Sequence, residues 1–480
     1  MRVASSLEWV TGQVGEHPRT GSRALRTPAT VAAGLLGASL AITACGGQEV
    51  IAPELNTTTA PVELNIVAPP TTVEAPPVAE VDTDPLTLYV DGVVGDDAND
   101  GQTVGTALRS LQTALDRLQP GNTLFLLDGT YAEVEEVGNA HYVLDASGTA
   151  EAWITITGAP GARPVIVASD GNGISIRGDY VDVSGLEIRG QGFSAENPYG
   201  WGILIRNSHH VRLANNQIYG MAVGGISSVE SANLEITGNE VFDNSFWGTE
   251  QGSGISIWHS VDAGFGPGTD GYHDRVIGNT VYRNENKVFS RWRDNDIMTD
   301  GNGIIVDQSQ ETGYTGRTLI ANNVVFDNGG RAILVLESSR VDVVFNTTFH
   351  NGRTNGLEGG PVELAASRAD DVRLLNNLAW SRPGAPAVTV SDATNVVMGG
   401  NLLVTENHSG MSTDLDVVTS QDPGLVAPGI DPALVDFRPT SDSLVIGRAI
   451  PVVPPLPFDA DGLPRELLDP AAGAYEPASS

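Results

Sequence analysis

An asparagine that returns in the same local pattern, at spacings from 23 to 44 residues, constrains this chain more than any other feature. A short pattern, Val-x-Leu-x-x-Asn-x-Ile/Val, recurs with its asparagine at Asn216, Asn239, Asn279, Asn323, Asn346, Asn377 and Asn401. A second pattern, Gly-Ile-x-Ile-x-x-Ser, ends at Ser208, Ser231, Ser260, Ser309, Ser338 and Ser367. The smallest repeat, from Ser208 to Ser231 and again from Asn323 to Asn346, is 23 residues. Two short period-two strands per unit of this length read as a solenoid, in which each repeat buries its apolar edge only against its neighbours.

Coils stacked at the interstrand spacing of about 4.8 Å would bring inward Ile, Leu and Val onto their equivalents and fill the bore. Asparagine at a tight inward turn tolerates left-handed geometry, and its amide can bond to the asparagines above and below. The β-branched runs do not suit a leucine-rich repeat, which needs more Leu and a helical return. The fold class is therefore all-β, a parallel β-helix. Ahead of it, Leu86–Val90 and Thr123–Tyr131 read as strands. Between them, about Thr106 to Leu118 reads as a helix capped by Thr106, with Leu108, Leu111, Leu115 and Leu118 on one face.

These N-terminal residues carry a resemblance. The Tyr-Val strand, the Asp/Asn/Gly loop 95–101, the amphipathic helix, Pro120-Gly-Asn-Thr123 and Asp128-Gly-Thr-Tyr131 resemble the helix-containing cap of secreted right-handed parallel β-helix proteins, many of them polysaccharide lyases. Phe458-Asp-Ala-Asp-Gly-Leu-Pro-Arg465 with Gly473-Ala-Tyr-Glu476 resembles their C-terminal closing motif and is expected to cover the last coil. The chain then divides into a signal segment 1–45, a Pro/Thr-rich linker 46–85, a cap with first coils 86–165, the β-helix 166–450 and a closing segment 451–480.

The signal segment has its own logic. Residues 29–44 form one short apolar run after Arg23 and Arg26, too short to span a bilayer and right for a signal-peptide core. Ile42-Thr-Ala-Cys45 resembles a bacterial lipobox, which implies lipidation of Cys45 and a secreted protein anchored to the outer face of the cell membrane. Cys45 is the one cysteine, so a disulfide framework and cysteine-based zinc sites are excluded. The 59 acidic residues against 26 basic ones give a net charge of −33, which excludes a nucleic-acid binder working by bulk charge. A monomer is expected.

Insertions into the basal coil point to a site. About 11 extra residues lie between Ser260 and Asn279, about 15 between Asn279 and Ser309, and about six between Ser309 and Asn323. Solenoid insertions become loops on a binding face, so these are expected to build one cleft. The same register sets Arg206, Val229, Trp258, Asp307 and Leu336 in one outward lane, with Asn207, Glu230, His259, Gln308 and Glu337 beside it. Segment 283–293 carries Arg283, Lys287, Arg291 and Arg293 against Glu285, and Lys287 is the only lysine in the chain. Asp294, Asp296, Asp300, Asn302 and Asp307 follow, and Arg331 lies one coil on.

Cations beside carboxylates suit an acidic polysaccharide. A uronate lyase must neutralise the carboxylate beside C5 and then remove the C5 proton. Asp300, Asn302, Asp307 and Glu285 supply oxygens for Ca²⁺. Lys287 is a base if Arg283, Arg291 and Arg293 lower its pKa, and Arg331 can clamp a carboxylate. Trp258, His259, Trp292, Trp247 and Tyr272 offer rings to sugar faces. This arrangement resembles family-nine pectate lyases, with their aspartate-held Ca²⁺ and lysine base. Their paired Asp-Asp-Gly ligands have no counterpart here, where Asp327-Asn-Gly-Gly330 stands, and Lys287 precedes Asp300 where their lysine follows. The leading expectation is a β-eliminating lyase with Lys287, Arg331, Asp307 and Asp300 as its catalytic group. The alternatives are a glycoside hydrolase using Asp300 and Asp307, with Asp274 or Glu285 behind them, and a non-catalytic carbohydrate-binding surface protein.

Overall fold

Three faces are built from every coil. In the computed structural model, which describes residues 85–132, 139–264, 266, 271–293, 296–407, 416–466 and 470–477, nearly all strands stack in parallel into three long sheets. A nine-stranded front sheet runs from Ala140–Leu144 to Val388–Ser391. An eleven-stranded back sheet runs from Thr87–Val90 to Thr394–Gly399, and an eleven-stranded side sheet from Thr130–Tyr131 to Val417–Thr419. Each coil passes from front to back to side. The expected signal segment, Cys45 and almost all of the linker lie outside the described residues, as does Asp294.

Alternation decides which side chains fill the bore. Ile203, Ile226, Ile255, Ile304, Ile333 and Leu364 are register partners in successive front strands and are all buried in one core. Burying each removes a side chain worth about 1.5–3 kcal/mol from water.

The asparagine ladder is continuous. Each Nδ2 donates to the next Oδ1, from Asn216 to Asn239 (3.0 Å) through Asn279, Asn323, Asn346 and Asn377 to Asn401 (3.0 Å), and Asn401 donates to Asp416 (2.8 Å). The ladder asparagines are not the left-handed residues. That conformation falls one position earlier, at Asn215, Gly238, Gly278, Asn322, Phe345, Asn376 and Gly400. The turn is made first, and the asparagine then pins it from inside.

A second ladder runs five residues further on, where side sheet gives way to loop. Asn244, Asn284, Asn328 and Asn351 hand the same bond along at 2.8–2.9 Å. It ends on Glu363, whose Oε2 accepts from Asn351 Nδ2 at 2.6 Å. Burial pushes Glu363 up to about 7, with the Asn351 bonds opposing. A carboxyl raised by folding contributes stability that is lost as pH climbs from its unfolded value through about 7. Stability is therefore expected to fall by about 3 kcal/mol through this carboxyl between pH ~5 and pH ~8, read as urea midpoints, and Glu363→Gln is expected to flatten that part of the slope.

The ends differ from expectation. The long helix is a 3-10 turn, Val104–Thr106, and one α-helix, Leu111–Leu115, capped by Thr103 and Ser110 respectively. Leu108 is drawn out of it into a bridge with Val90, its N–H donating to Tyr89 O. The strand expected over 123–131 breaks into Thr123–Leu126 and Thr130–Tyr131 at the Asp128-Gly129 turn. The closing segment packs on the last coils, where Ala471, Ala472 and Ala474 join Leu402 and Val404 in one core, and also runs back along the rod. Its Arg465 lies over Phe345 and donates to Asn322 and Glu476, while upstream of it Phe437, on the strand Asp436–Pro439, packs against Phe326 and Phe349 on the side sheet.

Candidate active site

The insertions flank the front sheet from both margins. Residues 283–293 and 296–303 lie where side sheet passes to front sheet, next to loops 243–254 and 350–363. Arg291 N bonds to Thr249 O, and Glu358 N to Met298 O. Residues 261–264, 271–273 and 310–317 lie at the opposite margin, where Thr312 Oγ1 reaches Ser260 O at 2.5 Å. The strand Ile304–Asp307 runs between these margins.

Its register places the outward lane directly. Val229, Trp258, Asp307, Leu336 and Ser367 are successive partners. The neighbouring column, Glu230, His259, Gln308 and Glu337, is left-handed throughout, which turns each coil away from the front sheet. Trp258 is 37% exposed, stacks on His259 at 4.3 Å and donates from Nε1 to Gln308 at 2.7 Å, so its ring is held beside Asp307. His259 Nε2 lies 3.3 Å from Glu311.

Asp300 enters from the other end of the same strand. Gly301 is left-handed, and a Cβ there would stand 2.8 Å from Asn286 N, so the chain can pass only as glycine. Asn302 is fully buried. Its Nδ2 donates to Asp300 Oδ1 (3.0 Å) and Ser253 Oγ (3.1 Å), and its Oδ1 accepts from Arg331 N (2.9 Å). Arg331 Nη2 donates to Glu358 O at 2.5 Å.

Electrostatics separate the two carboxyls. Burial pushes Asp300 up to about 6, opposed by the charge of Arg331 and by bonds from Asn302 and Thr299. Burial pushes Asp307 higher, to about 8, and the charges of Asp300, Glu337 and Glu311 add to it, with only Arg368 opposing. Asp307 Oδ1 is closed to solvent and has no hydrogen-bond partner. At neutral pH one carboxyl is mainly protonated and its neighbour mainly ionised. A protonated carboxyl can donate and an ionised one can accept.

The basic segment is neutralised within the protein. Arg283 pairs with Asp243 (2.7 Å), Arg291 with Glu250 (2.5 Å) and Arg293 with Glu358 (3.5 Å). Lys287 shares the insertion with Asp300; its Nζ lies 3.9 Å over the Phe246 ring and 3.8 Å from Glu285. Its nearest charged neighbour is thus a carboxylate, not the cations expected to activate it. Trp292 is 65% exposed under Arg291.

Several expected roles are corrected. Tyr272 is buried and donates to Asp342 at 2.7 Å, so its ring cannot meet a sugar. Asp274 is fully buried, accepting from Leu234 N, Tyr314 Oη and Ser260 Oγ, and serves the back sheet. The calcium set does not fit. Glu285 is turned to Arg353 (3.0 Å), Asn302 uses both ends of its amide, and Asp307, pushed up to about 8, gives a cation little charge at neutral pH. Among the described residues no three His, Cys, Asp or Glu side chains converge on one point. Glu311 and Glu358 were missed, and Gln308 was placed beside the lane without a role; Glu311 stands four residues after Asp307, and Glu358 gives no sequence signal.

Comparison with known proteins agrees with this architecture. The family described as a right-handed beta helix region matches residues 131–266. The crystal structure of pectate lyase Pel9A is similar, with a TM-score of 0.50 and 18% identity over 82% of this chain and 96% of that one. The chain is a right-handed parallel β-helix protein. The structure of XylC with xylose has the same TM-score of 0.50 at 10% identity, covering 81% of this chain and 98% of that one. No curated protein matches the sequence. At these identities the likeness conveys the fold, and the chemistry has to come from the residues.

Proposed function

We propose that this β-helix protein cleaves a polysaccharide laid across the front sheet, with Asp307 as proton donor and Asp300 as base. The observation that supports this reading is the pair itself, two carboxyls in one site with one pushed to about 8 and the other to about 6. In the step, Asp307 gives its proton to the glycosidic oxygen as the C1–O bond breaks. A water oxygen bonds to C1 and its proton passes to Asp300. Trp258 supplies the ring against which a sugar packs. The lipobox-like Ile42-Thr-Ala-Cys45 places the enzyme at the outer face of the cell membrane in this proposal.

A second reading, the β-eliminating lyase, draws on Arg331 beside Asp300, where a guanidinium could hold a uronate carboxylate while Lys287 removes the C5 proton. Product chemistry separates the two. Hydrolysis is expected to give new reducing ends without the ultraviolet absorbance of an unsaturated uronate. The rate should rise with pH near 6 as Asp300 ionises and fall near 8 as Asp307 does. An unsaturated product lost in Lys287→Ala would transfer the case to the lyase, and binding without any cleavage would leave a carbohydrate-binding protein.

A further inference from the structure

We infer that the glycan taken up beside Asp307 is uncharged, without the carboxylates that the basic segment led us to expect. The inference rests on the reading of Asp300 and Asp307 as an acid–base pair and names the substrate class of that site.

The outward lane gives the first reason. One and two coils to either side of Asp307 it presents Val229, Trp258, Leu336 and Ser367, none of them charged. The lane inside it, Ile305, Leu334 and Ala365, packs with Val362 of loop 350–363 into an apolar cluster, so no cation rises from the strands there either.

The column beside the lane gives the second. Glu337 and Glu311 raise Asp307 and are the charges an incoming chain meets, and Arg368 is taken by Glu337 at 2.5 Å. A uronate placed against Asp307 would add a like charge where two carboxylates already stand, without a new cation to offset it.

The third reason is the fate of the cations. Arg283, Arg291 and Arg293 are each bound to a carboxylate from a different loop, and they lie at the margin of the front sheet away from Trp258. Arg331 is held on Glu358 O and faces Asp300. What remains for recognition is an ordered indole, backed by His259 and fixed by Gln308, whose open face suits the apolar faces of neutral sugars.

The test is binding of the full chain to an array of neutral oligosaccharides (β-glucan, xylan and mannan fragments) and of uronate oligosaccharides (polygalacturonate and alginate fragments). Binding is expected on the neutral set, unchanged in about 1 M salt, and weakened about tenfold or more by Trp258→Ala, an exposed position whose loss leaves the core intact. Binding to uronates that fades with salt overturns the inference, as does binding to neither set. Neutral binding without cleavage upholds the substrate class and removes the acid–base reading. Uronate cleavage abolished by Asp307→Asn does the reverse.

Discussion

Asp307→Asn is expected to lower the cleavage rate about a thousandfold and, in the same protein, to raise its stability. The loss follows from role: a positioned general acid contributes about 10²–10⁴-fold, and asparagine has no proton to give. The gain follows from linkage. Folding lifts the Asp307 carboxyl to about 8, first through burial and then through Asp300, Glu337 and Glu311. Its contribution is fully present below the unfolded carboxylate range and is lost as pH rises through about 8. Asparagine stays neutral, so the difference should open above pH ~4 and level off above pH ~8 at on the order of 5–6 kcal/mol. Thermal melts across that range, run beside the pH–rate profile, check both limbs. A variant that is inactive but no more stable at high pH would mean that Asp307 is ionised at rest and does not serve as the acid.

How far the sequence led depends on what kept to the period. The lane through Trp258 and Asp307 could be placed because each Gly-Ile-x-Ile-x-x-Ser fixes the register of its own strand, although the gap from one to the next varies from 23 to 49 residues, and the observed partners are Trp258 and Asp307. The second ladder was equally regular, five residues after the first at Asn244, Asn284, Asn328 and Asn351, but it stands where strand gives way to loop and reads as turn polarity. Its last rung is a glutamate, which no asparagine pattern would find.

The charges failed for a different reason. Segment 283–293 is cationic as a string of letters, yet Asp243 reaches Arg283 from 40 residues earlier, on the coil below. Stacking makes such distant carboxylates immediate neighbours, so local charge along a solenoid says little about local charge in space.

The rod itself should fail most sharply at the middle of the first ladder. Asn279→Ala is expected to cost about 4 kcal/mol, seen as a fall in the urea midpoint. Asn279 Oδ1 accepts from Asn239 N (2.9 Å) and Asn239 Nδ2 (3.0 Å), and its Nδ2 donates to Ile236 O and Asn323 Oδ1. All of these groups lie out of reach of water. Truncation leaves the Asn239 amide N–H without an acceptor and one Asn239 side-chain proton likewise, each worth about 1–3 kcal/mol, and opens a small polar void as well. Asn323 is spared the worst, because Oδ1 still accepts from the Asn279 backbone N–H at 2.9 Å. Asn279→Asp makes the mechanism visible. It restores the acceptor for Asn239 but sets a carboxylate against Asn323 Oδ1, so it should be as damaging as alanine at neutral pH. In acid the carboxyl is protonated, can donate again, and part of the loss should return. If aspartate shows no such recovery, the ladder stabilises the rod by filling space and not by its chain of bonds.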